Sequence, residues 1–196
     1  MVTKKMKLLE ERIKKDGQIL PGGIVKVDSF LNHCMDIDLI DKMGAEFYEA
    51  YKDCDVTKIL TVEASGIGIA CLAARYFKVP VVFAKKSASS NQSDSLYTAK
   101  VHSFTRGADF IIRVDKKYLS PLDNVLIIDD FLANGEAVFG MNEILRQAGA
   151  RNVGVGICVE KAFQPGGDLV RKAGIPLCSL AIIDIDKDGN AFFIQK

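Results

Sequence analysis

Two adjacent carboxylates, Asp129 and Asp130, follow the apolar run Val125–Ile128, and a loop of mostly small residues, Ala133-Asn134-Gly135-Glu136-Ala137, comes next. Two carboxylates at a strand end accept hydrogen bonds from a pair of vicinal hydroxyls. A small-residue loop entering a helix presents backbone N–H groups and the positive end of the helix dipole, which together hold a phosphate. Acid pair, loop and helix, in that order, describe a site for a phosphorylated sugar. The bland alternative is a solvated strand end. Like charges side by side repel, and a hydroxyl or cationic partner relieves them, which the sugar reading supplies.

A second anion site is legible at Glu63-Ala64-Ser65-Gly66, where small residues at a helix start let backbone N–H groups approach a ligand. Lys85 and Lys86 end the next strand, and either can meet the same anion. Gly66 and Gly68 imitate a dinucleotide fingerprint, but its third small residue is missing and lysines, not an acid, follow the next strand. A nucleotide-redox site is therefore not expected. Lys161 follows the apolar run Val153–Val159 and Glu160; a lysine there can donate to a carbonyl of a bound base, and Phe163 can stack on that base. The Walker loop, H-E-x-x-H and the metal-ligand spacings of His and Cys are absent. His33 and His102 stand alone, which points to structural or exposed roles.

These residues need a scaffold. Apolar strand candidates recur at Ile59–Val62, Val81–Ala84, Val125–Ile128, Val153–Val159 and Leu177–Ile183, with helix candidates at Ile67–Phe77, Glu136–Ala148 and Gly167–Ala173. Strands apolar on both faces belong in a parallel sheet covered by helices. The expectation is an α/β fold, a doubly wound, mainly parallel sheet flanked by helices, with ligands at the carboxyl ends of the strands. Ala99–Thr105 and Phe110–Val114 read as an antiparallel pair. Ahead of the sheet, Met6, Leu9 and Ile13 mark a short amphipathic helix over residues 3–15, Ile24–Leu31 reads as an irregular strand, and Asp36 or Asp38 caps a helix reaching Tyr51. Between Lys85 and Thr98 lie five serines and few apolar residues, a composition that predicts a mobile loop, with a lid and a plain linker both open.

A chain of 196 residues with net charge +1 offers no bulk electrostatic case for nucleic acid, and its apolar runs are too short to span a membrane. The charged N-terminus excludes the apolar region of a signal peptide. Five scattered cysteines read as reduced thiols of a cytoplasmic protein, with Cys71, Cys158 and Cys178 as core filler.

The stretch Val125–Ala137 resembles the diphosphoribose-binding signature of the type I phosphoribosyltransferases. Together with Val27-Asp-Ser-Phe-Leu-Asn32-His33, Glu63–Gly66 and Glu160-Lys161-Ala-Phe163-Gln-Pro-Gly166, it is similar to the bacterial xanthine-specific branch of that family, over about residues 6–194. The resemblance implies a single type I phosphoribosyltransferase domain over 1–196, with residues 1–35 contributing a small hood over the base. It implies transfer of a phosphoribosyl group from 5-phosphoribosyl 1-diphosphate to xanthine by a cytoplasmic homodimer. Mg²⁺ would arrive with the diphosphate rather than on direct protein ligands. By the same resemblance Ala133, Asn134, Gly135, Glu136 and Ala137 hold the 5-phosphate. Asp129 and Asp130 are catalytic under the ribose. Ser65, Gly66, Lys85 and Lys86 meet the diphosphate, and Val25, Asn32, Lys161 and Phe163 meet the base. Asn134 and Ala137 depart from the hydroxylated residues usual in the signature, so two hydroxyl contacts to phosphate are missing. Ala133 stands where many relatives acting on hypoxanthine and guanine carry an Asp base. Transfer to another purine (guanine, hypoxanthine or adenine) and a non-catalytic transcription regulator that senses phosphoribosyl diphosphate remain alternatives.

Overall fold

The computed structural model describes residues 6–20, 23–87, 95–103, 108–187 and 189–195. The chain starts with α1 (Lys7–Asp16), a hairpin of β1 (Gln18–Leu20) and β2 (Ile24–Lys26), a single π-helical turn at Asp28–Asn32, and α2 (Ile37–Tyr51). The Asp36 carboxylate caps α2 by accepting from Leu39 N at 3.1 Å. Ile24–Leu31 is thus strand only over its first three residues and then a turn that buries Phe30 and Leu31.

The rest is β3 (Lys58–Val62), α3 (Ser65–Phe77), β4 (Val81–Ser87), β5 (Leu96–Ser103), β6 (Ala108–Asp115), β7 (Asn124–Leu132), α4 (Glu136–Ala148), β8 (Arg151–Lys161), α5 (Gly166–Lys172), β9 (Leu177–Ile185) and β10 (Ala191–Phe193). The eight-stranded sheet has the order β10-β9-β8-β7-β3-β4-β6-β5. Strands β9, β8, β7, β3 and β4 run parallel, and β10 and the β5–β6 hairpin extend the two sides antiparallel. Helices α1, α2 and α3 cover one face through Leu9, Met43, Phe47 and Ile69. Helices α4 and α5 cover the other through Met141, Ile144, Leu145 and Val170. Both faces are buried, which explains the unbroken apolar runs of β7, β8 and β9.

From β3 the chain winds one way through α3 to β4, and from β7 the other way through α4 to β8. The adjacent strands β3 and β7 therefore form the topological switch point, where a crevice opens at the carboxyl ends. The N-terminal elements pack onto the sheet beside it: Val25, Val27, Phe30 and Leu31 share the core with α2 and β9, and Met6 N donates to Leu180 O at 2.9 Å. Cys158 and Cys178 are buried, but Cys71 lies on the outer face of α3 and is exposed, so it is not core filler. Most of the serine-rich stretch, residues 88–94, lies outside the described residues.

Candidate active site

Strand β7 does not end at Ile128. It continues through both carboxylates to Leu132, paired with β8 by Asp129 opposite Ile157 and Phe131 opposite Val159. Side chains alternate across a strand, so the two acids meet different surroundings: Asp129 is buried and Asp130 half-buried. Burial, reinforced by the Asp130 charge, raises the Asp129 pKa well above the usual carboxylate range, and Lys86 only partly opposes this. The acids anchor their own backbone: Asp130 N donates to Asp129 Oδ1 at 3.0 Å and Phe131 N to Asp130 Oδ1 at 2.9 Å. Gly66 of α3 packs beneath Asp129. A Cβ there would lie 2.1 Å from Thr61 Oγ1 and 3.2 Å from Asp129 Oδ1, so only glycine lets the helix start approach the acid.

The loop after β7 turns at Gly135, whose φ of +91° suits glycine, and α4 begins at Glu136. The loop is braced from behind by Gly166, which donates its N–H to Ala133 O at 2.9 Å. Asn134, Gly135, Glu136 and Ala137 line a cavity of about 230 Å³, with Lys86 from β4 and Lys161 and Gln164 from the end of β8. The two lysines of β4 are separated here. Lys86 lines the cavity and its N–H donates to Glu63, whereas Lys85 projects to the opposite face, its Nζ 6.0 Å from the Phe83 ring centroid.

N-terminal residues border the other side. Asn32 Nδ2 donates to Asp130 Oδ2 at 3.5 Å, and its Oδ1 is buried with no partner among the described residues. Lys161 Nζ donates to Gly23 O at 3.4 Å and lies 5.4 Å from the Phe131 ring centroid. Burial lowers the Lys161 pKa and Asp130 opposes that shift. The Phe163 ring lies against Gly23, and Val25 is buried in β2. N-terminal segment, acid pair and loop thus come together beside one crevice.

A model of the phosphoribosyl transferase domain matches residues 26–168. The chain belongs to the phosphoribosyltransferase family. Among its relatives, the xanthine phosphoribosyltransferase of Ruminiclostridium cellulolyticum is 53% identical over 190 residues, covering 97% of this chain and 100% of the relative. That of Lachnoclostridium phytofermentans is 52% identical, covering 96% and 98%. Among solved structures, adenine phosphoribosyltransferases share the fold: that of Giardia lamblia, complexed with 9-deazaadenine, gives a TM-score of 0.76 at 21% identity over 94% of this chain and 99% of the other. That of Thermoanaerobacter pseudethanolicus gives 0.71 at 19% over 90% and 99%. The doubly wound sheet is therefore the type I phosphoribosyltransferase fold.

Two side chains to which sequence reasoning gave no site role line this phosphoribosyltransferase crevice, and a third is buried next to Lys161. Gln164 lines the cavity and has its Oε1 buried without a partner among the described residues. His102, which looked isolated, lines it from β5 with Nδ1 2.6 Å from Asp109 Oδ1 across the hairpin. Glu160, fully buried beside Lys161, is gripped by both Arg171 guanidinium nitrogens at 2.7 Å and by Ser179 Oγ at 2.5 Å. No local sequence pattern announces the last two, because their partners come from other strands and helices.

Proposed function

We propose that the protein transfers the 5-phosphoribosyl group of 5-phosphoribosyl 1-diphosphate to N9 of xanthine, forming xanthosine 5′-monophosphate and releasing diphosphate in purine salvage. The observation that carries this reading is the convergence of three parts at the switch point: an N-terminal segment bonded to Asp130, an acid pair, and a small-residue loop that lines a cavity. The choice of base is supported by the names of the relatives at about half identity over nearly the whole chain.

The backbone N–H groups of Ala133–Ala137 and the start of α4 hold the 5-phosphate. Asp129 and Asp130 lie under the ribose, accept from its hydroxyls and stabilise the positive charge that the sugar gains as diphosphate leaves. The turn at Ser65-Gly66 and Lys86 receive the diphosphate; the side-chain alternation of β4 favours Lys86 over Lys85 for this. Lys161 donates to the 6-oxo group or N7, Asn32 reads the base edge nearest the ribose, and Val25 and Phe163 enclose the ring. With Ala133 in the loop, no carboxylate stands ready there to take the purine proton. Xanthine is acidic enough to react as its anion, and the Lys161 cation favours that form.

Among the described residues no set of three or more His, Cys, Asp or Glu is placed to hold a metal ion. Magnesium keeps most of its waters and binds through one or two carboxylates together with substrate phosphates. The Asp129–Asp130 pair fits that role through water, without a dedicated protein cage. The ion supplies charge neutralisation for the departing diphosphate.

We also infer a homodimer working in the cytoplasm, with residues 1–35 acting as part of one unit over 1–196. Among the described residues no disulfide forms, and no helix is long and apolar enough to cross a membrane. The test of the reaction is diphosphate release with xanthine, hypoxanthine, guanine and adenine in parallel. Xanthine is expected to lead, and release with adenine alone would refute the assignment.

A further inference from the structure

We propose that Arg12 is a positioning residue for the choice of base: through Asp36 and Phe30 it fixes the turn that carries Asn32. The inference rests on the phosphoribosyl reading above, in which Asn32 touches the base, and traces that contact back to α1.

Asn32 ends the π-helical turn Asp28–Asn32. The chain is tied to that turn by two hydrogen bonds that each span six residues. Cys34 N donates to Asp28 O at 2.8 Å, and Asp36 N donates to Phe30 O at 2.9 Å. Isolated π-helical turns are rare, and this one is held by its neighbours. Phe30 and Leu31 anchor it in the core. Arg12 holds it from α1: Nη1 donates to Asp36 Oδ2 at 2.6 Å, Nε lies 2.6 Å from Asp16 Oδ2, and Cζ stands 5.1 Å from the Phe30 ring centroid. One guanidinium thus meets the ring inside the turn and the residue that closes it. A planar cation suits this, with carboxylates at its edge and an aromatic ring on its face. The Leu39 N–H and then Arg12 hold the Asp36 carboxyl below the usual range, so the pair is intact at neutral pH.

Arg12 and Asp36 are 31% and 30% exposed, and an exposed ion pair adds little stability. The consequence is geometric. Asn32 Nδ2 donates to Asp130 Oδ2 at the long distance of 3.5 Å, and Oδ1 is buried with no partner among the described residues. One long contact does not fix an amide. Its orientation comes from the backbone that bears it, and that backbone is set by Arg12, Asp36 and Phe30. A site that reads a base by hydrogen bonds discriminates strongly only while its donor and acceptor stay in place.

The experiment compares wild type, Arg12→Lys, Arg12→Met, Asn32→Ala and the double variant Arg12→Met with Asn32→Ala, all checked for folding by thermal melting. Kinetics give KM for the phosphoribosyl donor and kcat/KM for xanthine and guanine. Hydrogen exchange follows the amides of Cys34 and Asp36, with those of Met43 and Phe47 in α2 as reference. A small misplacement of a binding group costs on the order of tenfold to a hundredfold. Arg12→Met is expected to lower kcat/KM for xanthine by that factor and to narrow the preference over guanine, with donor KM nearly unchanged. Exchange at Cys34 and Asp36 should quicken roughly tenfold, the effect of losing one hydrogen bond to a charged group, while the α2 reference stays put. Arg12→Lys, which keeps the charge but not the planar fork, falls between. In the Asn32→Ala background, Arg12→Met should add little, because its effect runs through Asn32. An undiminished effect there overturns the proposal. So does an equal rise in donor KM, which marks a merely structural tie, and so does unchanged exchange at Cys34 and Asp36. Absence of nucleotide formation by the wild type overturns the transferase reading and the base-choice role with it, while the exchange arm still decides whether Arg12 fixes the turn.

Discussion

Breaking the Glu160–Arg171 pair from either side should give unequal losses. Glu160 is fully buried and accepts from Arg171 Nη1 and Nη2 at 2.7 Å each and from Ser179 Oγ. Arg171 is 27% exposed and has Asp168 at 3.7 Å as a second partner. Removing one partner of a buried pair costs about 3–5 kcal/mol, because the other charge is left without its counterpart. Glu160→Leu strands an arginine that can turn toward water and Asp168, so the low end applies, about 3 kcal/mol. Arg171→Met strands a carboxylate that has no exposure and only the Ser179 hydroxyl, which places it near the high end, about 5 kcal/mol. For a chain of this size each kcal/mol moves Tm by roughly 2–4 °C, so the two variants should melt about 6–12 °C and 10–20 °C below wild type. The double variant, with no stranded charge, should recover much of the loss. The assay is thermal melting as a double-mutant cycle, with KM for the phosphoribosyl donor measured alongside, since α5 braces the loop through Gly166 and Ala133. Equal losses in the two single variants, or a double variant worse than both, would refute the reasoning.

Asp129→Asn combined with Asp130→Asn should lose turnover by two to three orders of magnitude, about 3–4 kcal/mol in the barrier, while circular dichroism and melting report an intact fold. Gly135→Ala places a side chain at φ +91° and within 3.1 Å of the Phe139 ring; a loss of about 1–2 kcal/mol in stability and weaker ribose 5-phosphate binding by calorimetry are expected. Burial lowers the Lys161 pKa, so its proton is held less firmly in the folded protein than in the unfolded chain. The burial penalty is fully present below the folded pKa and is relieved as pH rises toward the unfolded value, so stability rises with pH across that window. Lys161→Met should accordingly melt higher than wild type at neutral pH yet lose activity on all 6-oxopurines, and a lower Tm would contradict it.

Much of this was legible in the chain. The boundaries of α4 are clear because Val138, Met141, Leu145 and Ala148 repeat on one face and glycines with positive φ stand at both ends. The parallel strands are clear because burial on both faces leaves no polar position in Val125–Ile128. What was hidden depends on partners distant in sequence. Acidic residues are poor strand formers, yet pairing with β8 carries β7 through Asp129 and Asp130. Cys71 sits in an apolar run, but the buried positions of α3 are Gly66, Ile69, Ala70, Ala73 and Ala74, and the helical period turns Cys71 outward. His102 looked isolated because Asp109 meets it only across the hairpin.

The same distinction explains how the site is built. The proposed phosphate loop is a local device, written in consecutive residues at the end of β7. The proposed base site is not local: Asn32 reaches Asp130 from a turn and Lys161 reaches Gly23 from β8, so the N-terminal segment is held by the very groups proposed to touch substrate. The Asn32–Asp130 contact is long and Asn32 Oδ1 is without a partner among the described residues. A buried acceptor left unpaired is unfavourable by about 1–3 kcal/mol, and a donor on the bound base removes that penalty. Ligand binding at the hood should therefore tighten the join between hood and acid pair, so that filling the base site and aligning the carboxylate under the ribose become one event.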